Sequence, residues 1–363
     1  MNIRRIFSAA PRPRLRPRAR VTAETTAAAA PPSREPRVSP AAAPTLRLIV
    51  TARDEPAVGI AAFELRSVDG AELPSWAPGA HVELLLPVDG RTLLRQYSLC
   101  GSPADRDRWR IAVLREPESR GGSAQLHDAV AAGDVLAVRG PRDDFPFAVG
   151  ARHLFVAGGI GITPLLPMIA AAEAAGADWR LLYGGRSRAS MAFLDELAGY
   201  GDRVLIHPQD EHGLLDLDAA LADLGEGAAV YCCGPEPLLT ALEQRFAELP
   251  DAADRGLSLH VERFAAATAV NAGPGEEFEV ELRRSGKVLR IASDMSILDA
   301  IEEAGVSTSP SCRQGTCGSC ETTVLEGEPE HRDSTLSEAE RSAGESMLIC
   351  VSRCRGERLV LDL

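Results

Sequence analysis

The sequence predicts a multidomain chain with three folded parts: a small antiparallel β-barrel, an α/β unit with a parallel sheet, and a C-terminal α+β unit. Three observations predict it. Short alternating apolar runs, separated by turn residues, fill positions 45–148. Apolar strands then alternate with helix-like segments over 149–264, the pattern of a parallel sheet covered on both faces. Finally, a hairpin pattern and one helix lead into "CRQGTCGSC", which sets three cysteines in nine positions of a chain that has eight.

Bulk properties narrow the function. A chain of 363 residues, 45% hydrophobic, has room for two or three domains with real cores. Its net charge of −13 argues against a general nucleic-acid binder, because phosphate contacts need a basic face. No run of 18 apolar residues occurs, so no membrane span is expected. The eight cysteines do not make a disulfide scaffold, and their clustering points to ligands in a reducing compartment, the cytoplasm. Residues 1–44 stand apart, with seven arginines and no acid in the first twenty. Arg4 and Arg5 suggest a twin-arginine signal, but no apolar stretch follows. The expectation is a disordered extension, since Pro, Ala and Arg bury too little apolar surface to fold.

In the barrel the strands are "LRLIVTA", "AAFELRSV", "HVELLLPV", "RTLLRQYSLC", "RWRIAVLRE" and "DVLAVRGP". One helix-like insert, "SAQLHDAVAAG", ends at Gly133. Two motifs carry chemistry. "RQYSL" ends a strand and offers Arg95, Tyr97 and Ser98 within four residues. An isoalloxazine needs an aromatic wall, a donor near N5 and a cation near its phosphate, and these three residue types supply them. Alternation points Arg95 and Tyr97 the same way. "RGGS", Arg120 to Ser123, precedes the insert helix, whose N–H groups and dipole favour an anion. Each motif also has an ordinary reading, a core tyrosine and a plain turn. Together they read as a flavin site.

The α/β unit runs "HLFVAGG", "TPLLPMIAAAEAAG", "WRLLYGG", "FLDELAGYG", "RVLIHP", "LDAALADLG", "AAVYCCGP" and "PLLTALEQRFAEL". In "VAGGIGITPLL", Gly158, Gly159 and Gly161 allow a tight turn at a helix N-terminus, where a pyrophosphate is favoured. The motif is not G-x-G-x-x-G. A second break, Gly234-Pro235, closes "YCCGP" at the same C-terminal edge of the sheet, the edge where open α/β sheets bind ligands. Cys233 is expected to face the nicotinamide there, and Cys232 to be structural. Arg186 and Arg188, after the second strand, lie where a 2′-phosphate could bind, so NADPH stays open beside NADH.

"AAATAVNAGPGE" has a linker composition, taken as 265–275, and the last part is 276–363. It opens on "EFEVELRRSGKVLRI", a hairpin with Ser285-Gly286 at the turn, followed by the helix "SILDAIEEAG". Zinc sites favour paired C-x2-C motifs, and no second pair exists. The spacing C-x4-C-x2-C with a distant fourth cysteine is that of plant-type [2Fe–2S] ferredoxins. The expected ligands are Cys312, Cys317, Cys320 and Cys350. Gly315, Gly318 and the small Thr316 and Ser319 let backbone N–H groups approach the sulfides. Cys354 lies in what reads as an exposed segment between arginines, and Cys350, at the end of an apolar run, is preferred.

The order of motifs "RQYSL", "RGGS", "VAGGIGITP", "YCCGP", "HVERF" and "CRQGTCGSC" resembles the phthalate dioxygenase reductase and vanillate demethylase reductase family over about 45–363. Its members are single-chain FMN/[2Fe–2S] reductases of Rieske-type oxygenases. The resemblance implies a β-grasp ferredoxin domain. It implies FMN contacts from Arg95, Tyr97, Ser98, Ala112, Val113, Gly121, Gly122 and Ser123. Phe264 would lie near the flavin ring, and Thr163 would touch flavin or nicotinamide. Gly158, Gly159, Gly234 and Pro235 would shape the dinucleotide site. Leu114 replaces a basic residue of some relatives, and the glycines of "YGGRSR" replace bulkier ones. The residues alone do not separate FMN from FAD; FMN comes from the family, and so does the preference for NADH.

The expected activity moves electrons from NADH through FMN to the cluster, because a hydride carries two electrons and a cluster near about −400 mV accepts one. Ser98 would tune N5, while Cys233 and Thr163 would align the nicotinamide. None of the seven histidines sits in a C-x-H arrangement, so no Rieske centre is expected in the chain itself, and the acceptor is another protein. That partner is a Rieske oxygenase or, alternatively, a cytochrome P450. A non-enzymatic electron carrier with degenerate flavin and nicotinamide domains is the reading from a different class. A monomer is expected. Over 271–363, ten Lys/Arg face eighteen Asp/Glu, a net of −8, which suits a basic docking patch on the partner or simply a soluble surface.

Overall fold

The structure is a computed structural model, and it describes residues 44–88, 90–117, 121–264, 275–308, 310, 312–316 and 318–363. The extension up to residue 43, linker residues 265–274, Arg120 and Cys317 lie outside the described residues.

Short apolar runs punctuated by turns produce the first sheet. β1 (Leu46–Ala57), β2 (Ile60–Ser67), β3 (His81–Val88), β4 (Arg91–Ser98), β5 (Trp109–Leu114) and, after helix α1 (Gly122–Ala129), β6 (Val135–Arg142) form six strands in the order β4-β3-β6-β1-β2-β5. All pairings are antiparallel. Val82, Leu84 and Leu86 from β3 meet Leu48, Val50, Phe63, Leu65 and Trp109 in one buried core. Each such side chain stabilises by roughly 1.5–3 kcal/mol on burial. Leu126 of α1 is fully buried in the same core, so the helix packs on the barrel.

The second sheet is parallel, in the order β11-β10-β7-β8-β9. Its elements are β7 (Arg152–Gly158), α2 (Ile162–Ala174), β8 (Asp178–Gly185), α3 (Leu194–Ala198), β9 (Val204–Pro208), α4 (Gln209–His212), α5 (Leu217–Ala222), β10 (Ala229–Cys233), α6 (Glu236–Ala247) and β11 (Ser258–Glu262). Helix α2 is apolar nearly all round because it is buried nearly all round, with Ile162, Leu165, Met168 and Ile169 at 0% exposure. That core continues into the barrel through Ile60, Ala62, Cys100 and Ala112. The junction is also polar. Val58 donates its N–H to Ala189 O at 2.9 Å, and Arg110 holds Glu196 through two bonds of 2.6 and 2.9 Å while lying over the Phe193 ring.

The third sheet mixes strand directions in the order β13-β12-β18-β14-β16, with α7 (Ile297–Glu303) packed on it, a β-grasp arrangement. The strands are β12 (Phe278–Leu282), β13 (Lys287–Ile291), β14 (Glu321–Glu326), β15 (Pro329–Glu330), β16 (Ser346–Leu348), β17 (Arg353–Cys354) and β18 (Arg358–Leu361), with α8 (Glu338–Ala343) before β16. The first hairpin turns over four residues, 283–286, which include Ser285 and Gly286: Leu282 pairs with Lys287, and Gly286 takes the final left-handed position at φ +67°. Ser296 caps α7 by accepting from Asp299 N at 3.0 Å.

Candidate flavin, nicotinamide and cluster sites

β4 and β5 are the two ends of the barrel sheet, joined by the single bridge Leu99↔Ile111. Continuing that register would set Tyr97 against Val113, and no such pair forms among the described residues. The strands part, and α1 enters the gap: His127 Nε2 lies 2.8 Å from Val113 O. The helix N-terminus thereby reaches Arg95. A Cβ on Gly122 would lie 2.7 Å from Arg95 Cγ and Nε, so a larger residue would displace the arginine stem from the helix start. Gly121 stands before it at φ +92°, a left-handed position. Ser123 accepts from Glu116 N at 3.2 Å, tying the β5–α1 loop to the helix. A guanidinium over a helix N-terminus suits a phosphate monoester.

Tyr97, half-buried, packs on the barrel core, and burial raises its phenol pKa against the opposing charge of Arg95. Ser98 is 4% exposed, and its Oγ has no hydrogen-bond partner among the described residues. A buried hydroxyl without a partner costs stability, and a ring nitrogen in the gap would satisfy it. The residues therefore fit a flavin mononucleotide. Ala112 and Val113 divide between two cores. Val113 faces the barrel interior and Ala112 the junction, so what they can jointly offer a ring is main chain.

At the C-terminal edge of the parallel sheet, the two glycine breaks pack on each other. A Cβ on Gly161 would fall 2.2 Å from Cys233 O, and one on Gly158 would fall 2.6 Å from Pro235 Cδ and 3.2 Å from Gly234 Cα. Gly159, at φ +55°, has nothing within 4 Å of its missing Cβ and faces open space. Thr163 is 2% exposed and donates to Ile160 O at 3.0 Å, which fixes the turn. Cys233 is fully buried beneath this edge, and burial pushes its thiol well above the usual range. Beside it, at the matching position of β11, Glu262 has its carboxyl pushed up to about 8, chiefly by burial. Arg263 ties the strand end to α6 through Glu236 at 3.1 Å and Glu243 at 2.5 Å. Phe264 follows, an exposed ring.

In the cysteine loop, Cys312 Sγ accepts from Gln314 N at 3.3 Å and Thr316 N at 3.5 Å. Such donors stabilise thiolate charge. Gly315 is required at φ +72°, since a Cβ would lie 2.7 Å from Val351 Cγ2 and 3.0 Å from Asp333 Cα. Arg313 pins the loop to α7 through Asp299 at 2.8 Å and Glu302 at 2.5 Å. Ile349 N donates to Cys320 O, so Cys320 and Cys350, both 7% exposed, come from adjacent strand ends. Cys354 is half-buried on β17 opposite Pro329 rather than in an exposed segment, and its sulfur accepts from Gly356 N at 3.3 Å. No group of three metal-ligating side chains is found among the described residues, which exclude Cys317. A [2Fe–2S] cluster takes four thiolates shared by two irons, and the donors on Cys312 fit it.

Sequence reasoning missed His81 and Glu262. "HVELLLPV" held the signal for the first, two polar residues at alternate positions of an otherwise apolar strand.

A profile of the 2Fe-2S iron-sulfur cluster binding domain matches residues 280–355. The chain is 47% identical over 303 residues to "Phenoxybenzoate dioxygenase subunit beta" of Ectopseudomonas oleovorans, covering 83% of this chain and 92% of that protein. Among solved structures it resembles an intact type IV self-sufficient cytochrome P450 monooxygenase, with TM-score 0.75, 42% identity and 88% of this chain covered. The match spans only 41% of that longer polypeptide. It also resembles phthalate dioxygenase reductase, described as a modular structure for electron transfer from pyridine nucleotides to [2Fe-2S]. That likeness has TM-score 0.66 and 36% identity, and covers 88% of this chain and 98% of the other. With the barrel, the parallel sheet and the cluster loop in the same order, the chain belongs to the phthalate dioxygenase reductase family of oxygenase reductase components.

Proposed function

We propose that the protein passes electrons from NADH through FMN and a [2Fe–2S] cluster held by Cys312, Cys317, Cys320 and Cys350 to a separate terminal oxygenase. The observations that carry the flavin step are the meeting of Arg95 with Gly122 and, at the end of the same strand, a buried Ser98 hydroxyl with no hydrogen-bond partner among the described residues. FMN bound there supplies a carrier that takes a hydride whole and releases electrons singly. Arg95 and the α1 N-terminus hold its phosphate, Tyr97 walls the ring, and Ser98 donates at the ring nitrogen. Gly158, Gly159, Gly161, Gly234 and Pro235 bring two loops close enough to hold the dinucleotide, and Phe264 covers the ring edge. Thr163 acts by fixing the turn, since its hydroxyl proton is committed to Ile160 O. Cys233 lines the floor of the nicotinamide site and is a neutral thiol at pH 7.

The proposed domain limits are 45–148, 149–264 and 276–363. The acidic last part, with a net of −8, suits a basic partner surface. The likeness to a self-sufficient P450 supports a second reading, a P450 as acceptor. Among the described residues no helix is long and apolar enough to cross a membrane. We place the protein in the cytoplasm as a monomer without nucleic-acid contacts. The test is cytochrome c reduction with NADH and NADPH, alongside a visible spectrum. Faster reduction with NADH, with flavin and cluster bands both present, supports the reading. Absence of the flavin band overturns it in favour of a simple electron carrier.

A further inference from the structure

Two buried polar atoms share one face of the strand pair at the barrel's edge, and neither makes a hydrogen bond among the described residues. His81 on β3 pairs with Ser98 on β4, so their side chains leave the sheet on one face, with Cβ atoms about 4.5–5.5 Å apart. His81 is 5% exposed. Its Nε2, like Ser98 Oγ, makes no hydrogen bond among the described residues. Charges face the imidazole from each neighbouring element. Arg142 of β6 lies opposite it, and Glu83 follows two positions along β3, 3.8 Å from Arg139. Asp144 Oδ2, after β6, is 3.8 Å from His81 Nε2 and its side chain is 27% exposed, an outlet to water. At the end of β11 the carboxyl of Glu262, raised chiefly by burial, also feels the charges of Asp144 and Asp143. Burial holds the imidazole below the usual histidine range in spite of Asp144, so it is neutral at pH 7 and can accept a proton.

We propose that His81 positions the Ser98 hydroxyl and, with Asp144, forms the proton outlet of the flavin site. This rests on the flavin reading above. In hydride transfer the C4–H bond of NADH breaks, and the hydrogen arrives with its electron pair at the ring nitrogen beside Ser98. Those two electrons leave one at a time for the cluster, so the hydrogen must depart as a proton. Ser98 Oγ would take it while its own hydrogen passes to the His81 imidazole, across a strand pairing in which the two side chains are neighbours but not yet hydrogen-bonded. The Asp144 carboxylate compensates the imidazolium, which then releases the proton to water. Per NADH, two electrons reach the cluster and one proton reaches solvent.

The test uses the full chain labelled with [15N]histidine, stripped of FMN and reloaded, with nitrogen-detected NMR. FMN binding is expected to shift the His81 ring nitrogens and their titration, and Ser98→Ala to abolish that shift. In stopped flow, His81→Gln is expected to slow flavin-to-cluster transfer about tenfold and to remove its pH dependence and solvent deuterium effect. A purely structural histidine would leave the deuterium effect in place. Asp144→Asn serves as the second variant if His81→Gln does not fold, and it is expected to reduce the same deuterium effect. FMN bound with His81 unmoved overturns this proposal alone. A chain that binds no FMN overturns the flavin reading and this proposal together.

Discussion

The hydroxyl of Ser98 separates two roles that the fold places side by side. Ser98→Ala keeps the Arg95–Gly122 cradle and removes one donor to the ring. Flavin reduction by NADH is expected to slow about tenfold, the worth of one hydrogen bond, with the cluster spectrum intact. Stopped-flow absorbance reads both, and unchanged hydride transfer would remove Ser98 from the chemistry. Glu262 makes a prediction about pH. Burial raises its carboxyl from 4.5 to about 8, so between those values the folded chain binds a proton that the unfolded chain releases. Stability therefore falls as pH rises through that window. Glu262→Gln is expected to flatten the slope in urea melts run across it; an unaltered slope would show the carboxyl ionised in the fold. The cysteine spacing pointed to a [2Fe–2S] domain, which the family profile over 280–355 matches, because iron ligation constrains residue type and interval together. Glu262 was not, because a glutamate in "HVERF" reads as an ordinary surface acid until β11 sets it beside Cys233.

Period-two alternation made the strands of the barrel and the first hairpin readable, and the α/β alternation predicted the parallel sheet. β11 escaped because each of its five residues is half-buried, which leaves neither an apolar run nor an alternation. Ser285-Gly286 marks the hairpin turn in the sequence, and the pairing of Leu282 with Lys287 adds Arg283 and Arg284 to it. The glycine breaks were legible as close-approach sites, but their partner was not. They approach each other, and Gly159 alone faces open space. Gly161→Ala puts a methyl group 2.2 Å from Cys233 O, with backbone on both sides and no flexible side chain to yield. The expected cost is about 1–3 kcal/mol, with weaker NADH binding and FMN retained. Thermal melts and NADH titrations check this, and wild-type behaviour in both would remove the loop contact from the account.

The molecule joins two recognition sites through a shared core. Arg110, clasped by Glu196 and resting on Phe193, anchors the barrel to the parallel sheet. Motif order along the chain made this division of labour legible, while the junction itself came from residues such as Ala62, Cys100 and Ala112 that carry no motif. An acidic C-terminal part predicts that electron delivery to the oxygenase slows as ionic strength rises, because screening weakens the encounter. A rate that increases with salt would reverse the assigned charge complementarity. The most direct measurement of the central claim is anaerobic NADH titration of the reconstituted protein, followed by visible absorbance and electron paramagnetic resonance. The account predicts that flavin bleaches and a reduced [2Fe–2S] signal appears, with Ser98→Ala slowing both. A protein that binds zinc in place of iron, or whose cluster stays oxidised while flavin is fully reduced, would contradict it.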